Sequence, residues 1–323
     1  MKPFIPLLLI LSLTGSCSPV LPIENPFGDS ETPGSFSHAP REQLLRIIVL
    51  DVGQGDATLV IGPSGPSRKT LLLDAGPPMA GAESVLPFLK EQEIPHLDWI
   101  VATHYDADHI GGIPEVLRGP DGLSDTEDDY EPSEALLDRG DATEKVTPVY
   151  SDYLAALPKG RKQAEAGLVL DLGGGATATV VVANGRFLDG RQIHLNPDEE
   201  NESSIGFLIR YGDFEYFTAG DLTGGGSPGG RETKDLETFA GEIIGDIDVL
   251  HAGHHGSASS SNKVFLEITR PESAVISVGT DNDYGHPTPE VLQGLAAVGA
   301  DVYRTDLAGT ITIETDGRTY EIY

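Results

Sequence analysis

Cysteine is nearly absent from this chain, with one in 323 residues. That excludes an intramolecular disulfide and any thiolate zinc cluster. Basic side chains are scarce too, 21 against 51 acidic ones, for a formal net charge of −30. A protein that grips nucleic acid through a basic groove, or a membrane surface through a polybasic stripe, needs the Lys and Arg missing here. The one long apolar run, Phe4 to Leu13, is too short to span a bilayer. There is no internal repeat. What is present is a hydrophobic content of 39%, enough at this length for a full core in one large domain or two small ones. The 39 glycines and 23 prolines make up roughly a fifth of the chain against a usual ~12%, which argues against coiled coils and helix bundles and for a turn-rich α/β or all-β architecture.

Residues 1–17 carry Lys2, the apolar run, then Thr14, Gly15 and Ser16 before Cys17, the layout of a secretory signal peptide. Cys17 after small residues resembles the lipobox of bacterial lipoproteins, although Thr14 stands where that motif usually has Leu. The expectation is an exported envelope or secreted protein, touching membrane only through a lipid on Cys17. Residues 18–43 are proline-rich and lack periodicity, as a flexible tether would. Folded sequence is expected over 44–323. Short aliphatic runs bounded by Gly, Pro or Asp predict strands at 46–50, 58–61, 70–73, 99–103, 177–183, 205–211, 214–218, 248–251, 274–277, 301–303, 310–315 and 319–323. Helices are expected at 84–92, 234–244 and 289–298. The acidic stretch at about 119–147 reads as an insertion forming a surface loop or short helices. Within it Asp121, Gly122, Asp125, Asp128 and Asp129 have oxygen spacings that suit Ca²⁺, although acidic loops are usually only solvated.

Chemistry concentrates at three strand ends. The first is Thr103 to Gly112, where His104, Asp106, Asp108 and His109 follow the strand Trp99-Ile100-Val101-Ala102. Four ligand-type residues in six positions cannot share one face of a helix or strand, but a loop can wrap them around a pair of cations. His104 and Asp106 would face one, and Asp108 and His109 the other. Gly111 and Gly112 would allow a tight turn into the next helix. The competing reading is a polar loop whose carboxylates cap that helix. The second is Thr218-Ala219-Gly220-Asp221; one carboxylate can bridge two cations about 3.5 to 4 Å apart, although Gly-Asp alone is more often a turn. The third is His251 to Ser257, containing His254 and His255. With His286 in Tyr284-Gly285-His286-Pro287, these segments hold six of the nine histidines. Such crowding suits metal binding and proton transfer better than packing.

The ordered set resembles the metallo-β-lactamase fold, specifically the branch represented by the hydrolase domain of the DNA-uptake protein ComEC and its free-standing secreted relatives. The motifs that carry it are Leu50-Asp51-Val52-Gly53-Gln54-Gly55-Asp56-Ala57, Leu73-Asp74-Ala75-Gly76, the His104 cluster, Asn201 with Ser203 and Ser204, Gly220-Asp221, His254-His255-Gly256-Ser257, and Asn282 to Pro287. The resemblance implies an α/β, four-layer αββα sandwich with metals at one sheet edge. It implies two divalent ions, Zn²⁺ or Mn²⁺, held by His104, Asp106, Asp108, His109, Asp221 and one of the paired histidines. His255 is preferred as ligand because it precedes Gly256, leaving His254 for substrate or proton transfer. Asp56 and Asp74 would orient the ligand histidines and their loop. Asn201, Ser203, Ser257, Asn282 and His286 match positions near the scissile group. His251 reads better as a strand residue, and His38, His96 and His194 match nothing.

Two departures from the broader superfamily matter. Asp106 stands where lactamases have His, and Asn201 and Ser203 stand where another His precedes the bridging carboxylate. One half of the site is thus rich in oxygen, which favours Mn²⁺ or Mg²⁺ over Zn²⁺ and counts against β-lactam hydrolysis. Phosphodiester hydrolysis is the expected reaction, on a small or single-stranded substrate and without tight duplex binding. Asp108 or Asp221 would accept a proton and His254 or His286 would return one. Alternatives are a carboxylic ester, lactone or β-lactam hydrolase, a phosphorylcholine-esterase-like envelope enzyme, and a binding lipoprotein that keeps metal only for structure.

Overall fold

The computed structural model describes residues 43–323 except 64, 66, 125, 143–146 and 227–231. The expected signal segment, Cys17, His38 and the expected tether before residue 43 lie outside the described residues.

Strands β1 (Leu45–Val49), β2 (Thr58–Ile61), β3 (Thr70–Leu73), β4 (Trp99–Val101), β5 (Ala135–Asp138) and β6 (Lys162–Gln163) come first. They are followed by β7 (Val169–Gly173), β8 (Ala176–Ala183), β9 (Arg186–Phe187), β10 (Gly206–Tyr211) and β11 (Phe214–Thr218). A small hairpin β12 (Gly224–Gly226) and β13 (Thr233–Asp235) precedes β14 (Val249–His251), β15 (Ser273–Ile276), β16 (Asp301–Arg304), β17 (Ile311–Thr315) and β18 (Tyr320–Ile322). Two mixed sheets result, ordered β18-β17-β1-β2-β3-β4-β5-β6 and β16-β15-β14-β11-β10-β8-β7, with β9 paired to β8.

Burial on both faces explains why these strands read as unbroken aliphatic runs. In β1, Leu45, Ile47 and Val49 face the other sheet and meet Phe207, Ile209, Tyr216 and Val249. The alternate residues Ile48, Leu59, Leu72, Ile100 and Leu136 turn outward under helices α1 (Leu86–Glu91), α2 (Ala107–Ile110), α3 (Ile113–Arg118) and α4 (Pro148–Ala156). On the far side Leu208, Phe217, Leu250 and Ile276 pack under α5 (Glu237–Ile244), α6 (Lys263–Thr269) and α7 (Pro289–Val298). The layers are therefore α, β, β, α, as the resemblance implies.

The acidic stretch is not simply an insertion. It contains β5, whose four residues are all buried and which pairs in parallel with both β4 and β6. The strand is hard to read because only Leu136 and Leu137 announce it among carboxylates. It is also short, and burial on both faces removes any alternation that would mark it.

Parallel pairing places the site. β3, β4 and β5 run parallel in one sheet, and β11, β14, β15 and β16 in the other. Loops at the carboxyl ends of parallel strands are where open α/β sheets gather functional groups. Asp74 follows β3, His104 follows β4, Asp221 follows β11, His254 and His255 follow β14, and Ser277 follows β15.

Candidate metal centre

His104 is fully buried at the end of β4, and His109 lies on α2 and is likewise buried. Asp106 occupies the cap position of α2 with extended backbone, but its side chain makes no cap hydrogen bond. Its Oδ2 instead lies 3.7 Å from His104 Nε2. The capping reading of this loop therefore fails. Gly111 and Gly112 do form the turn between α2 and α3, but with helical φ of −58° and −83° that any residue could adopt. They are glycines because of close approach: a Cβ would fall 2.2 Å from Pro78 N at Gly111 and 2.2 Å from Ala75 O at Gly112.

Asp221 stands at the centre. Its Oδ1 lies 3.1 Å from His109 Nε2 and 3.9 Å from His255 Nε2, and its Oδ2 lies 3.8 Å from His104 Nε2 and 3.5 Å from His254 Nε2. Asp108 Oδ2 is 3.3 Å from His255 Nε2. Gly220 makes this approach possible; its φ is +51° and a Cβ there would sit 2.5 Å from Thr103 Oγ1. Ligand atoms of His104, His109 and Asp221, and of Asp108, His109 and His255, form two groups lying within 4.8 Å.

The donor set fits divalent cations. Thr103 gives its hydroxyl proton to Asp74 Oδ2 at 2.6 Å, so its oxygen can accept from His104 Nδ1 at 3.2 Å. His109 Nδ1 meets Asp74 Oδ2 at 2.8 Å, and His255 Nδ1 meets the Ser277 carbonyl at 3.0 Å. With the Nδ1 proton of each ring turned outward, the three Nε2 lone pairs point inward, the tautomer that metal-binding histidines take. His104 Nε2, His109 Nε2, His255 Nε2 and Asp221 Oδ1 are all buried without a hydrogen-bond partner. Polar atoms left this way are rare and costly in a folded protein, and cations between them would satisfy all four.

The electrostatics agree. Burial opposes ionisation of Asp221, yet the surrounding imidazoles of His254, His109 and His255 hold its carboxyl well below the usual range. Burial works against a charge on His109 as well, but the carboxylates of Asp221 and Asp74 outweigh it and hold that imidazole well above its usual pKa. His255 is raised in the same way, against its burial, by Asp221 and Asp108. His109 and His255 are thus biased toward the protonated form, and a cation at either Nε2 would displace that proton. The His254-His255 backbone adds a second sign of a functional site, because both residues have positive φ, 51° and 55°. Consecutive left-handed non-glycine residues cost energy and persist only where surrounding structure enforces them.

A profile of the metallo-beta-lactamase superfamily matches residues 50–280. The chain belongs to the metallo-beta-lactamase superfamily. Members are generally metal-dependent hydrolases. Among curated relatives, ComE operon protein 3 of Bacillus subtilis is 28% identical over 308 residues, covering 85% of this chain and 34% of that protein. Competence protein ComA of Neisseria gonorrhoeae is 29% identical over 285 residues, with 86% and 34% covered. Recombination protein 2 of Haemophilus influenzae is 25% identical over 280 residues, with 83% and 28% covered. The chain thus spans about a third of the length of the curated relatives it matches.

The remaining residues singled out in the sequence fall at different distances from the cluster. His255 lies in the floor, while His254 stands at the mouth, its side chain 26% exposed and Nδ1 2.8 Å from Ser259 Oγ. Asn201 Nδ2 approaches His254 Nδ1 at 3.3 Å, and Ser257 Oγ meets Ser259 Oγ at 3.1 Å. Asp74 also accepts from Thr103 N at 2.8 Å, fixing the start of the signature loop. The Asp56 carboxylate does not reach a candidate ligand histidine. It lies 3.6 Å from His251, while its backbone N–H holds the Asp108 carbonyl at 3.1 Å. Asn282 turns its amide inward on its own loop, bonding Gly279 O, His286 O and His286 N, so it braces His286. Ser203 lines a separate polar cavity with Arg139 and Glu200. His96 and His194 are exposed. Asp121, Asp128 and Asp129 do converge in the acidic loop, all partly or fully exposed, while Asp125 is outside the described residues.

Two functional candidates escaped the sequence. Glu200 accepts from Tyr105 N at 2.9 Å and from Arg139 Nε and Nη2 at 2.7 and 2.6 Å, and the guanidinium lies 4.7 Å from the Tyr105 ring centroid. This buried clamp grips the backbone between His104 and Asp106. The only available signal was a lone Arg at the end of an unrecognised strand.

Proposed function

We propose that the protein is an exported metal-dependent phosphodiester hydrolase acting on a small or single-stranded substrate. The observation that carries this reading is the division of Asp221, one oxygen toward His109 and His255 and the other toward His104 and His254. In this reading His104, Asp106 and Asp221 hold one divalent ion, and Asp108, His109, His255 and Asp221 hold a second. Bound divalent ions, Zn²⁺ or Mn²⁺, supply Lewis acidity, lowering the pKa of water and compensating phosphoryl charge. Asp108, its carboxyl held below the usual range despite burial by the His255 imidazole 3.3 Å away and by His109, is placed to accept a proton. Burial, with the neighbouring His254 and His255, pushes His286 down to about 4, so it is neutral at pH 7 and offers an N–H to a substrate oxygen. His254 is lowered as well, first by burial, and shares that role at the mouth.

Export rests on residues 1–17, and lipidation on Cys17; palmitate labelling that persists in Cys17→Ser would overturn the lipid anchor. No helix among the described residues is long and apolar enough to cross a membrane. The net charge of −30 supports weak, nonprocessive contact with polyanions. The deciding experiment is hydrolysis of bis(p-nitrophenyl) phosphate and single-stranded DNA with Mn²⁺ or Zn²⁺, beside an Asp108→Ala/His109→Ala protein. Equal rates in that control would sink the hydrolase reading. Nitrocefin turnover without phosphodiester cleavage would move the substrate class to lactams.

A further inference from the structure

The cluster opens to solvent through two adjoining cavities of about 330 Å³ and 250 Å³, which share Asp106, His254, Tyr284 and His286. One arm continues to Gln54 and Ala107; the other is walled by Glu199, Asn201, Thr223, Thr233, Ser257 and Ser259. No Lys or Arg lines either arm among the described residues. A phosphate lying away from the ions would find no counter-charge here, whereas an uncharged hydroxyl-bearing group would find hydrogen-bond partners.

Tyr284 marks the junction of the arms. It is 72% exposed, unusual for a tyrosine beside a buried polar site. Its ring lies nearly parallel to His286, with centroids 5.7 Å apart and an interplanar angle of 26°. His286 meets His254 edge-on at 5.6 Å, and Asn282 fixes the His286 backbone through bonds of 2.9 and 3.0 Å. Three rings thus step outward from Asp221, the last of them braced on one face.

We propose that Tyr284 is a stacking platform for a planar ring carried by one substituent of the scissile phosphodiester, and that the Asn201 arm takes the uncharged sugar joining ring to phosphate. The substrate class is therefore a nucleoside-bearing phosphodiester, an inference that rests on the hydrolase reading above. A single braced ring suits a flat ligand. A quaternary ammonium is held by several aromatic faces turned toward it, and an acyl chain would want an apolar arm. Stacking also tolerates any base, in keeping with an acidic surface that offers no groove to a duplex.

The test compares dithymidine monophosphate with the same dinucleotide lacking both bases, using full-length protein loaded with Mn²⁺. The expected KM is about tenfold lower with bases, a preference that collapses toward one in Tyr284→Ala and survives in Tyr284→Trp. Calorimetric binding of both dinucleotides to Asp108→Asn protein supplies a readout that needs no turnover. Equal binding of the two, or a base preference unchanged in Tyr284→Ala, overturns the platform, as does tighter binding of p-nitrophenyl phosphorylcholine through Tyr284. Base-dependent binding without cleavage of any phosphodiester sinks the hydrolase reading and leaves the platform standing.

Discussion

The Arg139–Glu200 clamp should be energetically coupled and should tune the metal centre. The two side chains are only 6% and 14% exposed. Glu200 accepts two N–H groups from the guanidinium and one from the Tyr105 backbone. Removing either partner alone leaves a charge in low-dielectric surroundings, a loss of ~3–5 kcal/mol for a well-buried pair. Residual exposure puts each single substitution, Arg139→Ala or Glu200→Ala, near the lower end at about 3 kcal/mol. The double variant has no stranded charge, so its loss should stay near about 4 kcal/mol rather than doubling, a coupling of about 2 kcal/mol. Urea unfolding of the four proteins measures this directly. Because Glu200 also fixes the backbone between His104 and Asp106, metal affinity by chelator competition should fall ~10-fold in Glu200→Ala and less in Arg139→Ala. Single losses that add to within ~0.5 kcal/mol would refute the clamp.

Metal uptake should release protons, because His109 and His255 are held above their usual pKa by Asp221, Asp74 and Asp108 despite burial. Affinity should therefore rise with pH, and calorimetry in buffers of different ionisation enthalpy should show the release; a buffer-independent heat would contradict it. Burial pushes Glu237 up to about 8, against backbone N–H groups from Ser261 and Asn262, compared with 4.5 for a free carboxyl. The native state thus keeps this proton longer than the unfolded chain does. Its stabilising contribution is complete below about 4.5 and is lost as pH rises through about 8. Glu237→Gln should remove that slope, gaining on the parent by a few kcal/mol in order of magnitude between about pH 5 and about pH 8.5 in urea unfolding, and parallel slopes would count against it. Leu137→Ala should cost ~2–5 kcal/mol, since Leu137 is fully buried between the sheets. A loss under ~0.5 kcal/mol would return β5 to the status of surface loop.

Much of this organisation is legible in the residues. Ile47 to Leu50 and Leu71 to Leu73 are unbroken aliphatic runs because both faces are covered, and the signature histidines stand directly after such runs. The reason for glycine in the His104 loop is not legible in the sequence. A sequence shows that a side chain is missing, and only the fold shows whether the space is needed for a turn or for a neighbour, here Pro78 and Ala75. Asp56 holds the signature loop through its backbone as expected, but motif membership does not show which ring its carboxylate faces. Arg139, Glu200 and Tyr284 act through partners 35 to 95 positions from the signature or through exposure, neither of which has a local pattern.

The strand pairing of β1 carries a consequence for how the molecule is built. Leu45 pairs with Thr315 and Val49 with Ile311, so a strand at the beginning of the domain is flanked on one side by one near its end. Until β17 arrives, β1 presents a row of unsatisfied N–H and C=O groups beside an aliphatic surface, the kind of edge that recruits other chains. Such sequence-distant pairing forms slowly. Emergence of the chain from the machinery that makes or moves it is thus the period of greatest exposure to misassociation, and the last strands act as the latch that ends it.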